Sequence, residues 1–442
     1  MTVASAATRG LSLLARKPKG VHPAWLSDAR RAAFDWATER GFPTLKDEDW
    51  KYTRLEPLLD VPFEPSVAGA SQRVSSHTIA GLGADLGGTR LVFVNGHFVA
   101  ELSRMTKLAE GVTVTSLGSV LAEEAEILEP FFSGPSARRD HAFSALNAAF
   151  ADDGAFIQVS ADTIVDEPIE LVFFGEAGLS PVASSPRSIV LAGARSRMTI
   201  VEIFAGTPGE VYLTNSVTEV VLEEGAQVEH YKIQDEPDTA FHLGLLAVHQ
   251  GRASRFSSHS VTLGSSIARH EVRVKLEAEG AEVSLNGLYA PRGDQLHDNP
   301  ILIEHAAPGC TSHQLYKGIA DERGHGVFNG HIIVSPDASG TDASQTNKNL
   351  LLSGNAEIDT RPRLEIFTDD VKCTHGAAVG ALNEEALFYL RSRGMPLEAA
   401  RALLTLAFAR EMLDLIPSES LRAHVETLVV GRLSTVKEEV AI

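Results

Sequence analysis

Cys373 and His375 stand two residues apart in the stretch DDVKCTHGAAVG, Asp369 to Gly380. On an extended strand, residues i and i+2 point to the same face. A thiolate and an imidazole side by side suit zinc, iron or copper. Two ligands do not complete a site, so the remainder would have to come from elsewhere in the fold, from another chain or from an exogenous molecule. A bare C-x-H pair also has a plainer explanation, which is the favoured one when nothing else is known. In it the cysteine is a small buried hydrophobe and the histidine is hydrogen-bonded at a strand end.

The sequence has only one other cysteine, Cys310. Two cysteines give no disulfide framework, and a reducing compartment is the simpler expectation. They also cannot supply the four thiolates of a self-sufficient iron-sulfur site. His297, His305, His313, His325 and His331 lie close together in sequence but fit no metal-ligand spacing. They read as solvated or turn-bonded side chains, although stacked repeats would permit a polar ladder. The sequence lacks a G-x-x-x-x-G-K-[ST] phosphate loop, a G-x-G-x-x-G fingerprint, an H-E-x-x-H pair and a G-x-S-x-G elbow. A net charge of -19 over 442 residues argues against general binding to nucleic acid or anionic membranes. No apolar run approaches the roughly 20 residues that span a bilayer.

The elements that must position the pair fall into three textures, with expected boundaries at residues 1–154, 155–380 and 381–442. The first is mainly helical. Residues 1–20 are basic and rich in Ala, Ser and Thr, and read as an organellar transit segment or a frayed helix. A bacterial cytosolic location is preferred, with a plastid as the lesser alternative. Pro23 suits a helix start; Leu26, Ala29, Ala33, Trp36 and Ala37 recur at helical spacing, and Gly41 with Pro43 ends the run. Trp50 and Tyr52 are expected to wedge between these helices and the body. Asn95-Gly96 marks a hairpin between Thr89 and Leu102. A helical patch from Leu117 to Phe150 is interrupted by SGPSARR.

From Ala155 short β-rich runs follow one another for some 200 residues. Gly193-Ala194, Gly225-Ala226 and Gly280-Ala281 recur as turns at irregular spacing. A sandwich and a β-solenoid both fit that pattern. After Gly380, Asn383 caps a first helix. Pro396 opens a second, with Leu397, Ala400, Leu404, Ala407, Phe408, Met412 and Leu415 on one apolar face. Ser418 caps a third, with Leu421, Val425, Leu428 and Val429 inward. This helical module is expected to close the end of the β body.

Three segments go further than texture: KDEDWKYTRLEPLL (Lys46 to Leu59), PGCTSHQLYKGI (Pro308 to Ile319) and Gln345 to Pro396. Together they resemble the SufB/SufD family of the SUF iron-sulfur cluster assembly system. The C-x-H-G form, with Gly376 after His375, resembles the SufD branch. The resemblance implies a mainly β fold: a right-handed parallel β-helix core flanked by N-terminal and C-terminal helical domains. It implies a non-catalytic scaffold that pairs with a SufB-like subunit, with a nascent iron-sulfur cluster forming between them. His375 would be the interface histidine and Cys373 its neighbour. It also implies a SufC-like ATPase bound through the C-terminal helices, where Phe388, Tyr389, Arg391 and Arg393 offer a contact surface, and an association of such complexes with reduced flavin. When alone, the chain could pair with itself. Two other functions compete: a homodimeric β-helix scaffold without a metal role, and a β-helix carbohydrate-active enzyme, which in a hydrolase needs a carboxylate pair.

Overall fold

The computed structural model describes residue 13 and residues 23–69, 73–84, 86–133 and 141–433. The expectations for residues 1–20 and for the SGPSARR interruption therefore lie outside the described residues, apart from Leu13 and Ser133.

The β-rich runs form a parallel β-solenoid of about eight turns. Successive strands alternate between two sheets, so each strand pairs with the strand two places on. In one sheet Gln227–Gln234, Arg255–Thr262, Glu282–Tyr289, Thr311–Ala320, Thr341–Leu351 and Val371–Ala381 stack in parallel register. In the other, Tyr212–Leu222, Phe241–Gln250, Ile267–Leu276, Leu296–His305, His325–Val334 and Glu357–Ile366 do the same. The inward faces bring Val220, Val248, Val274 and Ile303 into one core with Val228, Phe256 and Val283. No single rung can bury such a face, and stacking makes the core continuous.

One corner of the solenoid repeats with a regularity the sequence hides. Arg195, Gly225, Ala253, Gly280, Gly309 and Gly340 all have φ between 50° and 73°. The residue after each one is small and buried: Ser196, Ala226, Ser254, Ala281, Cys310 and Thr341. The turn needs a left-handed residue, which Gly supplies at the least steric cost, followed by a side chain small enough to point into the corner. Because Arg and Ala also fill the left-handed position, a search for Gly-Ala finds only part of the series. Gly193-Ala194 is not part of it; Arg195-Ser196 makes that turn.

The expected hairpin is present. Arg90–Val94 and His97–Phe98 pair antiparallel, and Asn95 and Gly96 both have positive φ, 49° and 81°, as a type I′ turn requires. Arg90–Val94 also pairs in parallel with Ile169–Gly175, so it extends one solenoid sheet. The helix Ala24–Arg40 packs through Ala33 and Ala37 onto Ala145, Ala148 and Ala149 of the helix Ala142–Phe150. Trp50 is buried as expected. The Arg269 guanidinium lies 3.8 Å from its ring centroid, and Phe143 and His141 pack at its edges. Thr53 hydrogen-bonds Asp298 at 2.5 Å, and Asp298 pairs with Arg269. This fixes the charged segment to the solenoid side.

The three C-terminal helices are Glu384–Ser392, Leu397–Leu413 and Glu419–Leu433. Asn383 caps the first, accepting from the Ala386 N–H at 2.9 Å. The module does not close the end of the β body. The second and third helices lie along the outer face of one sheet, with Ala409, Met412, Leu413, Leu421, Val425 and Val429 against Ile203, Tyr231, Ile233, Val261, Leu288 and Ile319. The inward stripe of the second helix overlaps only in part with the one its sequence suggests: Ala400 and Met412 are shared, and Phe408 packs against the same core. Ala400, Thr405, Ala409, Met412 and Leu413 are buried, whereas Ala407 is exposed and Leu397 and Leu415 are both 40% exposed. The reason is that the helix follows a sheet flank. Lys317 fixes it there, donating to the Phe408 carbonyl at 2.8 Å and pairing with Glu411. Among the described residues no helix is long and apolar enough to cross a membrane.

Candidate functional site

Cys373 and His375 belong to Val371–Ala381, the last strand of its sheet. The preceding strand supplies the register: Ala343 faces Cys373, Gln345 faces His375, Asn347 faces Ala377 and Asn349 faces Val379. Ala343, Gln345 and Asn347 are almost wholly buried, so this row points into the solenoid interior. Cys373 continues the row and packs partly against the core; His375 is exposed. The two therefore share a face, as the i, i+2 spacing requires. That face opens at the end of the solenoid, because no further rung covers it among the described residues. A methyl group built on Gly376 or Gly380 would meet no atom within 4 Å.

Cys373 does not have the electrostatics of an activated thiolate. Burial, then the charge of Asp342, pushes the Cys373 thiol above its usual range. It is a protonated thiol at neutral pH unless a metal or a cationic group displaces the proton. Cys310 is unrelated to this site. It is the small corner residue of an earlier rung, with Sγ 3.3 Å from the Ala278 carbonyl, and burial raises its pKa too.

The five clustered histidines separate. His297 and His305 are fully buried, so of the two expected states, solvated or turn-bonded, the solvated one applies to neither. His297 Nε2 lies 2.9 Å from the Gly264 carbonyl, and His305 Nε2 lies 2.8 Å from Ser312 Oγ. His313 pairs with Ser344 at 2.7 Å on the surface. His325 and His331 face Asp359 and Glu365 at 2.8 and 3.0 Å.

The sequence reading missed a polar seam inside the solenoid. Glu202 meets His230 at 3.1 Å, His230 meets Ser258 at 2.9 Å, and Lys232 meets His270 at 3.1 Å. Glu236 meets His242 at 2.8 Å and accepts from Thr214 and Gln234. Toward the open end, Tyr289 donates to Asn349 at 2.6 Å, and Gln345 donates to Gln314 at 3.1 Å. Burial lowers the Lys232 pKa to about 8 against the pull of Glu202 and Glu236. Burial raises the Glu202 carboxyl, but the hydrogen bond and charge of His230, with the charge of Lys232 and the Thr218 hydrogen bond, together leave it below the usual range. The seam is visible in QVEHYKIQ as polar residues at alternate positions, a pattern that normally marks the solvent side of a strand.

The C-terminal candidates are on the surface. Phe388 is 75% exposed and Tyr389 56%, Arg391 and Arg393 are exposed, and the Arg393 guanidinium lies 5.2 Å from the Tyr389 ring centroid.

The architecture, with its open last rung, can be set beside known proteins. The family model described as SUF system FeS cluster assembly, SufBD core domain, matches residues 173–408. The model of the SufBD protein N-terminal region matches residues 19–171. The chain belongs to the SufBD family. It is 33% identical over 424 residues to an iron-sulfur cluster assembly SufBD family protein of Synechocystis sp., covering 93% of this chain and 92% of that one. It is 32% identical over 395 residues to the iron-sulfur cluster assembly protein SufD of Escherichia coli, covering 89% and 90%. It is 31% identical over 403 residues to the chloroplastic protein ABCI7 of Arabidopsis thaliana, covering 89% and 83%. The chain is thus an iron-sulfur cluster assembly protein of the SufD/SufBD type, and the family resemblance read from the three sequence segments holds.

Proposed function

We propose that this chain is a scaffold subunit, without turnover of its own, that completes an iron-sulfur assembly site with a SufB-like partner. The observation that carries this reading is the uncapped last rung. Its two terminal strands, Glu357–Ile366 and Val371–Ala381, each leave one edge without a strand partner among the described residues. Long open edges invite pairing, and proteins usually guard them with charge or proline. Glu357–Ile366 has such guards in Arg361, Pro362 and Arg363. Its neighbour has none from Gly376 to Ala381, and Val379 there is 44% exposed. In this reading the partner pairs along that edge and His375 becomes a ligand or proton acceptor for the nascent cluster, which is cargo. Cys373 is the secondary candidate, because its raised pKa makes it the poorer donor.

In the same reading a SufC-like ATPase docks on the C-terminal helices through Phe388, Tyr389, Arg391 and Arg393. An exposed aromatic pair flanked by arginines is the kind of surface that supplies hot spots. Alone, the chain pairs with itself along the edge otherwise taken by the partner. Reduced flavin belongs to the assembled complex, and no residue of this chain is assigned to it. The location is the bacterial cytosol, with a plastid as the alternative suggested by the chloroplastic relative.

Co-expression with a SufB-like subunit and a SufC-like ATPase, followed by anaerobic purification and iron and sulfide analysis, tests the proposal. A stable complex that gains cluster only with all three chains supports it. ATP hydrolysis by the purified chain alone, or a failure to bind either partner, overturns it.

A further inference from the structure

The outer face of the last two rungs carries a second group of ligand-type side chains, remote in topology from the row of Cys373 and His375. The parallel ladder sets His325 directly opposite Glu357. Asp359, two residues on, shares the face of Glu357. His325 Nε2 lies 2.8 Å from Asp359 Oδ2, and one ligand atom from each of the three residues lies within 4.8 Å of the others. Two well-paired strands hold these positions, so the group is largely set before anything binds.

Charge gives an independent reason to suspect a cation. Along the same outward row of Glu357–Ile366, Arg361 pairs with Glu48, Arg363 with Asp49 at 3.4 Å, and Glu365 with His331 at 3.0 Å. Glu357 and Asp359 have no Lys or Arg within ion-pair distance among the described residues; their one basic neighbour is His325. Two carboxylates on one strand face repel each other, and no lysine or arginine among the described residues offsets them. The side chains of His325 and Asp359 are only 22% and 27% exposed, so water screens the pair less than it would on an open surface.

We propose that His325, Glu357 and Asp359 bind a divalent first-row metal ion on the flank of the solenoid. One imidazole nitrogen and two carboxylate oxygens, without sulfur, suit Zn²⁺, Mn²⁺ or Fe²⁺ better than a thiolate-seeking ion. Three protein ligands leave coordination positions open to water or to an exogenous group. Binding draws the three ligand atoms together, and the exposed Glu357 has the most freedom to move. The site stands apart from the proposed assembly site, because its ligands point outward from one sheet whereas Cys373 and His375 face the interior from the other.

The test is calorimetric titration of the purified full chain with Zn²⁺, with Mn²⁺ electron paramagnetic resonance as a second readout. A Cys373→Ala/His375→Ala background removes the other ligand pair. One equivalent should bind in that background and raise the melting temperature. Asp359→Asn and Glu357→Gln, both near-isosteric, should each weaken binding at least about tenfold, and His325→Ala should do the same. If His325→Ala fails to fold, the two isosteric variants decide. Absence of binding, binding unchanged in Asp359→Asn and Glu357→Gln, or binding lost only with Cys373 and His375 would each overturn the proposal and leave a His-Asp pair alone.

Discussion

His375 stands directly opposite Gln345 in the final strand pair, at the point where the interior row of the solenoid meets the open end. Gln345 is buried, and its Oε1 has no hydrogen-bond partner among the described residues. The imidazole therefore extends a polar row that is incomplete within this subunit. Replacing it removes a nitrogen donor from an exposed position, with little packing lost. His375→Ala is expected to leave fold and complex assembly intact and to lower iron and sulfide content in complexes purified under limiting iron. Cys373→Ala should be milder, since a protonated thiol packed on the core tolerates a small apolar replacement. Full cluster content in His375→Ala complexes would make the histidine a structural strand-end residue.

Cys310 gives the contrasting case. Its corner is filled by alanine in two other rungs, at Ala226 and Ala281, both fully buried. Cys310→Ala should shift stability by less than about 1 kcal/mol, because the corner already accepts that side chain, and cluster content should not change. A clear loss of iron or sulfide in this variant, with stability preserved, would mean that the buried thiol takes part in assembly after all.

What the sequence revealed follows from where its patterns stay simple. The hairpin at Asn95-Gly96, the cap at Asn383 and the C-x-H pair depend on neighbouring residues and are legible without the fold. The solenoid period is obscured because Arg195 and Ala253 take the left-handed corner that Gly fills elsewhere. The polar seam is obscured for a different reason. In QVEHYKIQ, Tyr231 and Ile233 would normally be the inward residues, yet they face the C-terminal helices while His230, Lys232 and Gln234 line the interior. Both faces of that strand are buried, so alternation no longer says which one meets water. His297 and His305, polar in type, are core residues for a simpler reason: they share the inward row of Leu296–His305 with Ile301 and Ile303.

The position of the helical module changes how ATPase docking should be tested. Deleting everything after Val379 would expose Ile203, Tyr231, Ile233 and Val261 and leave Lys317, whose side chain is 3% exposed, without Glu411. Such a truncation would damage the solenoid as well as remove the docking surface. The double variant Phe388→Ala/Tyr389→Ala touches only exposed side chains. It should preserve the melting temperature and weaken binding of a SufC-like ATPase by about 30-fold or more, as expected when hot-spot aromatics worth about 2 kcal/mol are removed. Unchanged affinity would move the docking surface elsewhere.

Buried histidines set the acid limit of the fold. Burial, with a contribution from the charge of Arg432, pushes the His297 pKa down to about 3, even though its hydrogen bond to the Gly264 carbonyl works the other way. Burial lowers His305 to about 4; burial and then His230 lower His259 to about 4. In the unfolded chain these groups titrate near 6.5. Between pH 6.5 and those lowered values the unfolded state binds more protons than the native state, so stability falls as pH falls. The stability they contribute is therefore complete above about pH 6.5 and is lost progressively toward pH 4 and below. For His297 alone the loss between pH 6.5 and 5 should be of order 1–2 kcal/mol. His297→Gln, whose amide can still donate to Gly264, should be less stable than the parent at pH 8 because the site is tightly packed, but its stability should fall less steeply between pH 6.5 and 5. Denaturant midpoints of both proteins at pH 8, 6.5 and 5 measure the difference in slope. Parallel pH dependences would mean that His297 is protonated in the native state too, and that acid sensitivity arises from other groups.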